Sequence, residues 1–544
     1  MKVVNHLYHK FIKNKIFIIC FILANFYFFL SSLPLIIKYQ RTPQNSYYPL
    51  YHDANNYDFN VYLSAIRQGK DGSWMLKDAF TTEITNPTIF YFYYILLGKI
   101  TAPLNLSPEI TYHLGRFFSV EFFIISLYYL NLKIFGSKKI LSYFLTITGT
   151  IMPVFLFGEN NAFVVYFPWW GTLEALRRLD GLPHYLFGFS LLCWSNILIF
   201  NYFKKPKLSA FLLVNFIIFL EGILFPPSLI PLVIALPLAT LIESFTSSRR
   251  KKFSFFTSLF QPRNFILFIF CSTAILSLLV IWRENTNGFP WNIWNKWEIA
   301  KWNKNEPNFN KALFLAFGIL PIIALPSSIR SIIKGKLEDV YIVLWAYLPF
   351  ILLPFIDFLG ISKFRLVSTA PFIPLGILSA KTIFNIKKNK YRWIILIIFI
   401  LSAIPVTAHQ LIVDINQARF SQIHSNIYIS KYHWQAINFL KTNTPNDSII
   451  LSNEYIGNII PAYTHNISYF GHPVHTKDFY IKQHDVALFY ENKMNEKEAR
   501  IFVNKNNISY IYFGPDERNG SENLKYSFLK KVFYNQNVSV FKIQ

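Results

Sequence analysis

What most constrains this chain is a succession of apolar runs, each near the length that crosses a bilayer, parted by short basic clusters. About 20 apolar residues in helical form cross the ~30 Å hydrocarbon core. The first run is Ile16–Ile37, and later ones cover 109–132, 139–157, 184–203, 208–225, 226–243, 264–282, 311–329, 339–358, 364–385 and 391–412. A backbone in lipid must satisfy its own hydrogen bonds, so such a chain folds as a helical bundle. The expectation is a polytopic α-helical membrane protein with about 11 transmembrane helices. Composition agrees: 53% of residues are hydrophobic and only 15% charged, against about 25% charged in soluble domains. A disordered chain is excluded, and a soluble enzyme is disfavoured.

Lysine and arginine number 53 and the acids 29, a formal net charge of +24. Residues 413–544 hold 14 basic and 11 acidic side chains, so the excess sits in the apolar part, where it marks membrane sidedness rather than nucleic-acid binding. Lys2, Lys10, Lys13 and Lys15 precede the first run, which reads as a retained anchor with its N-terminus in the cytoplasm. The basic loops are Lys133/Lys138/Lys139, Lys204/Lys205/Lys207, Arg249–Lys252, Arg330/Lys334/Lys336 and Lys387/Lys388/Lys390. All of them fall inside if Thr88–Leu104, which carries Lys99, does not span. Regions 38–108, 158–183, 283–310 and everything after about 413 then face outward from the plasma membrane. Cys20, Cys193 and Cys271 lie within apolar runs and read as small hydrophobes.

This divides the chain into a transmembrane module, 1–412, with first outer loop 38–108, and an extracytoplasmic α/β domain, 413–544. In the latter, helical patterns at Tyr432–Lys441 and Glu496–Asn504 alternate with strand-like Ser448–Leu451, Ile467–Phe470, Ser509–Phe513 and Val538–Ile543.

The first outer loop holds the acids of most chemical interest. Phe59, Tyr62, Leu63 and Ile66 have the spacing of an amphipathic helix lying at the membrane surface. Asp53 and Asp58 are about 140° apart on an ideal helix, so at least one precedes it. Each reads either as a cap or loop acid or as a general base at the water–lipid boundary. Glu83 is a third acid, in Thr81-Thr82-Glu83-Ile84-Thr85-Asn86-Pro87.

The run Asp53–Trp74 resembles the first extracytoplasmic loop of GT-C superfamily glycosyltransferases. It is most similar to bacterial relatives of the protein O-mannosyltransferase and lipid A aminoarabinose transferase groups. Gly181-Leu182-Pro183-His184-Tyr185, Lys363-Phe364-Arg365 leading into Pro371–Ala380, Thr444-Pro445-Asn446-Asp447 and Gly457–Tyr463 also resemble proteins of this kind. The resemblance implies a GT-C-like fold and transfer of a sugar, with inversion, from a polyprenyl-phosphate donor to an acceptor hydroxyl on the outer face. It implies an early acid of this loop as base, with Asp53 first and Asp58 second. Many family members carry adjacent acids here, and this chain does not. Trp169-Trp170 is followed by Gly171 rather than by the Asp of oligosaccharyltransferases, so that activity is not implied.

Such a donor has its tail in lipid and its sugar in water, and its leaving group is an anionic phosphate that fixed cations stabilise. Arg365, Arg177 and Arg116 are candidate donor or acceptor contacts. Their other readings are snorkelling, an exposed loop cation and a buried pair. His184, Glu83 and the intramembrane acids Glu221 and Asp357 either line the same site or serve locally. Trp291, Trp294, Trp297 and Trp302 form an aromatic belt or stack on sugar or isoprenoid. No cofactor is expected, and with a monophosphate donor a divalent metal is not obligatory. The expected partners are the lipid-linked donor, a glycan, lipid or protein acceptor, and membrane lipids, without nucleic acid. Two other readings are a transporter or flippase, which would show an inverted repeat, and a catalytically silent relative that binds glycan.

Overall fold

The computed structural model describes residues 15–52, 56–136, 139–153, 155–157, 163–165, 172–251, 254–304, 309–420, 426–518 and 521–544. Its contacts gather into two compact units. One takes the chain up to Leu33, Arg116–Trp282 and Asn295–Ile415; the other takes Pro34–Gly115, Arg283–Trp294 and Asn416–Gln544.

Among the described residues, seven helices are long and apolar enough to cross a membrane: Lys15–Gln40, Pro108–Phe135, Pro183–Tyr202, Pro226–Arg249, Pro262–Asn285, Leu337–Leu359 and Asn389–Arg419. The chain is a polytopic helical membrane protein. In the first unit the helices bury Phe123, Leu145, Phe189, Leu229, Trp345 and Phe372 in one apolar core. Leu212, Phe216, Phe268, Leu279, Trp393 and Leu401 stay exposed, as lipid-facing positions do. The cysteines are buried and free of disulfides.

Among the described residues, the other expected spans are short or broken. The run at 139–157 is helical only over Lys139–Thr148, after which strand Phe155–Phe157 pairs with Phe163–Val165. Leu208–Leu224 has 17 residues, about 25 Å of helix. The run at 311–329 splits into Phe309–Ala316 and Leu320–Lys334. Between them Gly318 has φ 59°, and a Cβ there would stand 2.1 Å from the Thr150 carbonyl oxygen, so only glycine fits the break. The run at 364–385 splits into Lys363–Val367 and Phe372–Asn385. Pro371 keeps the residue before it out of right-handed helix, and Ala370 takes φ 53°. Hydropathy counts apolar residues and is blind to such backbone breaks.

In the second unit, helix Asn56–Lys70 carries Asp58 in its first turn. Within Thr88–Leu104 the chain forms helix Phe92–Thr101 and a 3₁₀ turn, Ala102–Leu104. Ten residues of helix reach about 15 Å, half of a bilayer core. The two helices touch backbone to backbone: a Cβ on Gly69 would lie 2.1 Å from the Ile95 oxygen, and one on Gly98 2.0 Å from the Ile66 oxygen. Helix Asn56–Lys70 also packs on helix Glu454–Tyr463, where buried Asn60 donates to Asn458 Oδ1 at 2.7 Å.

A five-stranded sheet in the same unit has the order Ile467–Ser468, Ile449–Leu451, Ile508–Phe513, Ser539–Ile543, Leu529–Tyr534. Its first three strands are parallel and the remaining pairings antiparallel. Parallel neighbours need a crossover. Helix Glu454–Tyr463 supplies one, and helices Phe479–Tyr490 and Glu496–Lys505 the next. Strand side chains alternate between faces, so Leu451, Ile511 and Phe513 join one core while Ile450, Tyr510 and Tyr512 join the other. Ser430, Asn453 and Asn495 cap their helices by accepting backbone N–H bonds, worth about 1 kcal/mol each. Strand Ser46–Tyr47 pairs with Ile429–Ser430.

Candidate active site

Asp58 stands in the first turn of helix Asn56–Lys70, where a negative charge meets the positive end of the helix. Its side chain is 37% exposed, so a solute can reach it. Asp53 lies outside the described residues.

One partner of Asp58 is His472, whose Nε2 is 3.3 Å from Asp58 Oδ1. The other ring nitrogen, Nδ1, accepts the backbone N–H groups of Val474 at 3.1 Å and His475 at 3.2 Å. A ring nitrogen that accepts carries no proton, so the proton sits on Nε2 and is donated to Asp58. Burial, together with neighbouring His475, holds His472 below the ordinary imidazole range against the pull of Asp58. Asp58 therefore faces a neutral donor at physiological pH.

Behind this pair lies a second one. His475 Nδ1 is 2.8 Å from Asp78 Oδ2, with both side chains fully buried, and Asp78 Oδ1 accepts the Phe80 N–H at 2.9 Å. Trp291 and Trp294 close over the His475 ring at centroid distances of 5.7 and 5.4 Å. Thr476 Oγ1 accepts from Gly471 and His472 and donates to the Phe80 carbonyl at 2.8 Å. Segment 471–476 is thereby pinned to segment 78–80, and the His472 ring is held in place.

Glu83 is bound differently. Lys482, itself buried, pairs with it at 2.9 Å, and Thr81 donates to it. Burial pushes the Glu83 carboxyl up, but the Thr81 and Lys482 bonds outweigh it and leave Glu83 below the usual range. A carboxylate so stabilised is a poor base.

Other candidates lie in the first unit. Arg365 pairs with Glu298 at 2.9 Å and hydrogen-bonds Tyr185. His184 belongs to this cluster: its ring meets Tyr185 and Phe225 at 4.7 and 5.9 Å, within electrostatic range of Arg365. Arg116 is buried, ion-paired with Asp180 and bonded to Ser32 Oγ at 3.0 Å. Arg177 pairs with Asp414 at 2.9 Å. Its neighbour Arg178 is fully buried and donates to the carbonyls of Thr146, Ile147, Gly149, Thr172 and Leu173. That places its charge at the negative end of helix Lys139–Thr148. Glu221 accepts from Ser195 on the adjacent helix at 2.9 Å, and Asp357 from Asn303 at 3.2 Å. Trp291 and Trp302 are core residues rather than belt residues; Trp302 stacks on Phe364 at 5.3 Å, whereas Trp297 is exposed.

The structure thus joins Asp58 to His472, Glu83 to Lys482, and His184 to Arg365. The sequence reading missed His472, His475 and Asp78. The one local cue is the pair of histidines in His472-Pro473-Val474-His475, and nothing in their surroundings marks them as neighbours of Asp58 and Asp78. Among the described residues, no group of three or more His, Cys, Asp or Glu side chains is placed to hold a metal ion.

The sequence matches no known family model and no curated protein. Among solved structures, it is similar to the oligosaccharyltransferase of Archaeoglobus fulgidus tethered to an acceptor peptide. Identity there is 14%, covering 90% of this chain and 69% of that chain, with a TM-score of 0.49. The form of that enzyme, AglB, bound to an inhibitory peptide and a dolichol-phosphate gives 14% identity, the same coverages and a TM-score of 0.46. ArnT from Cupriavidus metallidurans, bound to undecaprenyl phosphate, gives 10% identity, 94% and 97% coverage and a TM-score of 0.47. With no score reaching 0.5, what this chain does must follow from its own residues.

Proposed function

We propose that this protein is a membrane glycosyltransferase that moves a sugar from a polyprenyl-phosphate donor to an acceptor hydroxyl on the outer face of the plasma membrane. The observation that carries this reading is the half-exposed Asp58 carboxylate held by a neutral imidazole. On this reading the N-terminus is cytoplasmic, the short and broken apolar helices complete a GT-C-like bundle of about 11 spans, and residues 413–544 form an outer domain.

Asp58 takes the proton of the acceptor hydroxyl as its oxygen attacks C1 of the sugar. The bond from C1 to the phosphate oxygen breaks, and its electron pair leaves with the polyprenyl phosphate. Attack opposite the leaving group inverts C1. The departing phosphate needs a fixed cation more than a proton, and Arg365 beside His184 is the proposed contact. Glu83, Arg116 and Arg177 are each in an ion pair, as Arg365 is with Glu298, and their proposed role is to hold their own segments in place. No divalent metal takes part in the proposed step. Dolichol-phosphate in AglB and undecaprenyl phosphate in ArnT belong to the donor's chemical class.

The test presents the full chain in lipid nanodiscs with synthetic undecaprenyl-phosphate sugars, one at a time, and measures release of undecaprenyl phosphate. Asp58→Asn is expected to lower turnover by about 10²–10⁴, the usual contribution of a general base. Wild-type turnover in both Asp58→Asn and Asp53→Asn would remove the base. Solute uptake into vesicles with no covalent product would instead make the protein a transporter.

A further inference from the structure

We propose that His472 is a positioning residue for the base: a neutral imidazole, locked with its proton on Nε2, that aims the Asp58 carboxylate without sapping its basicity. This rests on the reading of Asp58 as base.

A carboxylate that must take a proton needs a fixed direction, and any donor can supply one. A cation within about 4–6 Å also lowers the carboxyl's affinity for protons by about 1–3 pH units. The second unit contains that arrangement at Glu83, which Lys482 and Thr81 hold as an inert carboxylate. The donor that His472 offers Asp58 is neutral. Donation from His472 Nε2 fixes Oδ1 at 3.3 Å and adds no positive charge.

The structure also shows why His472 stays neutral. To become a cation it must gain a proton on Nδ1, and that atom already accepts the N–H groups of Val474 and His475. Protonation would turn both bonds into N–H groups facing N–H. Among the described residues, Asp58 and Tyr57 from helix Asn56–Lys70, His475 from its own segment, and Asp78 from the loop before Phe80 face the ring. Asp78 is occupied by His475 Nδ1 at 2.8 Å. The rings of Tyr57 and Phe80 cover His472 at 6.1 and 5.9 Å. The ring cannot turn without breaking the Val474, His475 and Asp58 bonds together.

His472 also gives the C-terminal region a task in the chemistry. It stands 414 residues after Asp58 in the chain, so the loop that bears the base is completed by a turn of the outer domain.

The test compares Asp58→Asn, His472→Ala, His472→Gln and His472→Lys in the turnover assay above, reading kcat, KM for the undecaprenyl-phosphate sugar and the acidic limb of the pH–rate profile. His472→Ala is expected to lower kcat about tenfold or more with KM within about twofold, the pattern of an interaction needed for the chemical step. Glutamine offers an amide N–H in place of Nε2–H, so His472→Gln should keep kcat within about threefold of wild type. Lysine adds the missing charge, so His472→Lys should move the acidic limb down by about one pH unit or more. Wild-type kcat and an unmoved acidic limb in His472→Ala, alongside an inactive Asp58→Asn, would overturn this inference and leave the base intact. Full activity in Asp58→Asn would instead overturn the base. Should the alanine variant fail to fold, a folded but inactive His472→Gln would overturn the inference just as well.

Discussion

At the scale of single residues, burial decides which charged groups do chemistry and which hold the fold. Arg178 satisfies five backbone carbonyls and lies 4.1 Å over the Phe372 ring. Arg178→Met should cost about 3–5 kcal/mol, as loss of a buried charged partner does, read as a lowered melting temperature in detergent. The sequence places Arg177 and Arg178 side by side in one loop, and nothing in it tells the half-buried one from the fully buried one. Glu517 is a second case. It is fully enclosed, accepts the N–H groups of Asn453 and Gly514 at 2.9 Å, and burial pushes it up from 4.5 to about 7. Its folded value lies above its unfolded one, so folding favours the protonated form. That contribution is full below about 4.5 and is lost as pH rises through about 7. The wild type should lose up to about 3 kcal/mol of stability between pH 4.5 and 7.5 through this group. Glu517→Gln, followed by denaturant unfolding of the second unit, should flatten that slope. Asp58 was legible as a chemically interesting acid because it opens an amphipathic helix. His472 was not, because its meaning comes from a neighbour far along the chain.

At the scale of elements, the helix that carries Asp58 is set by glycine. Gly69 and Gly98 let helices Asn56–Lys70 and Phe92–Thr101 meet with a backbone oxygen where a Cβ would stand. Gly69→Ala or Gly98→Ala should cost about 1–3 kcal/mol each by overpacking. The double variant should be less than additive, because the first methyl already forces the helices apart. Turnover should fall with stability, since Asp58, the proposed base, rides on the displaced helix. Hydropathy and period located most helices and the inner strands, where apolar side chains line both sheet faces. Strand Leu529–Tyr534 escaped because Lys530 and Lys531 interrupt its pattern, as charges on an edge strand do. The breaks at Gly318 and Ala370 escaped because steric fit to distant backbone, rather than local composition, dictates them.

At the scale of the whole molecule, charge bias and span length establish a membrane protein and propose a sidedness. The three native cysteines are buried, so engineered thiols can be read against a quiet background. Tyr534→Cys, at a position 62% exposed, should react with an impermeant maleimide added to intact cells. Lys334→Cys should react only after lysis; the reverse pattern would invert the proposed topology. What the linear order of residues hides is that the second unit is assembled from three separate stretches, 34–115, 283–294 and 416–544. On the proposed topology, a nascent chain halted before its final stretch has exported Asp58 but not His472, and it lacks the strand that pairs with Ser46–Tyr47. On the reading proposed above, a half-made protein is a silent one: the order of translation keeps an unfinished enzyme from spending lipid-linked sugar on water.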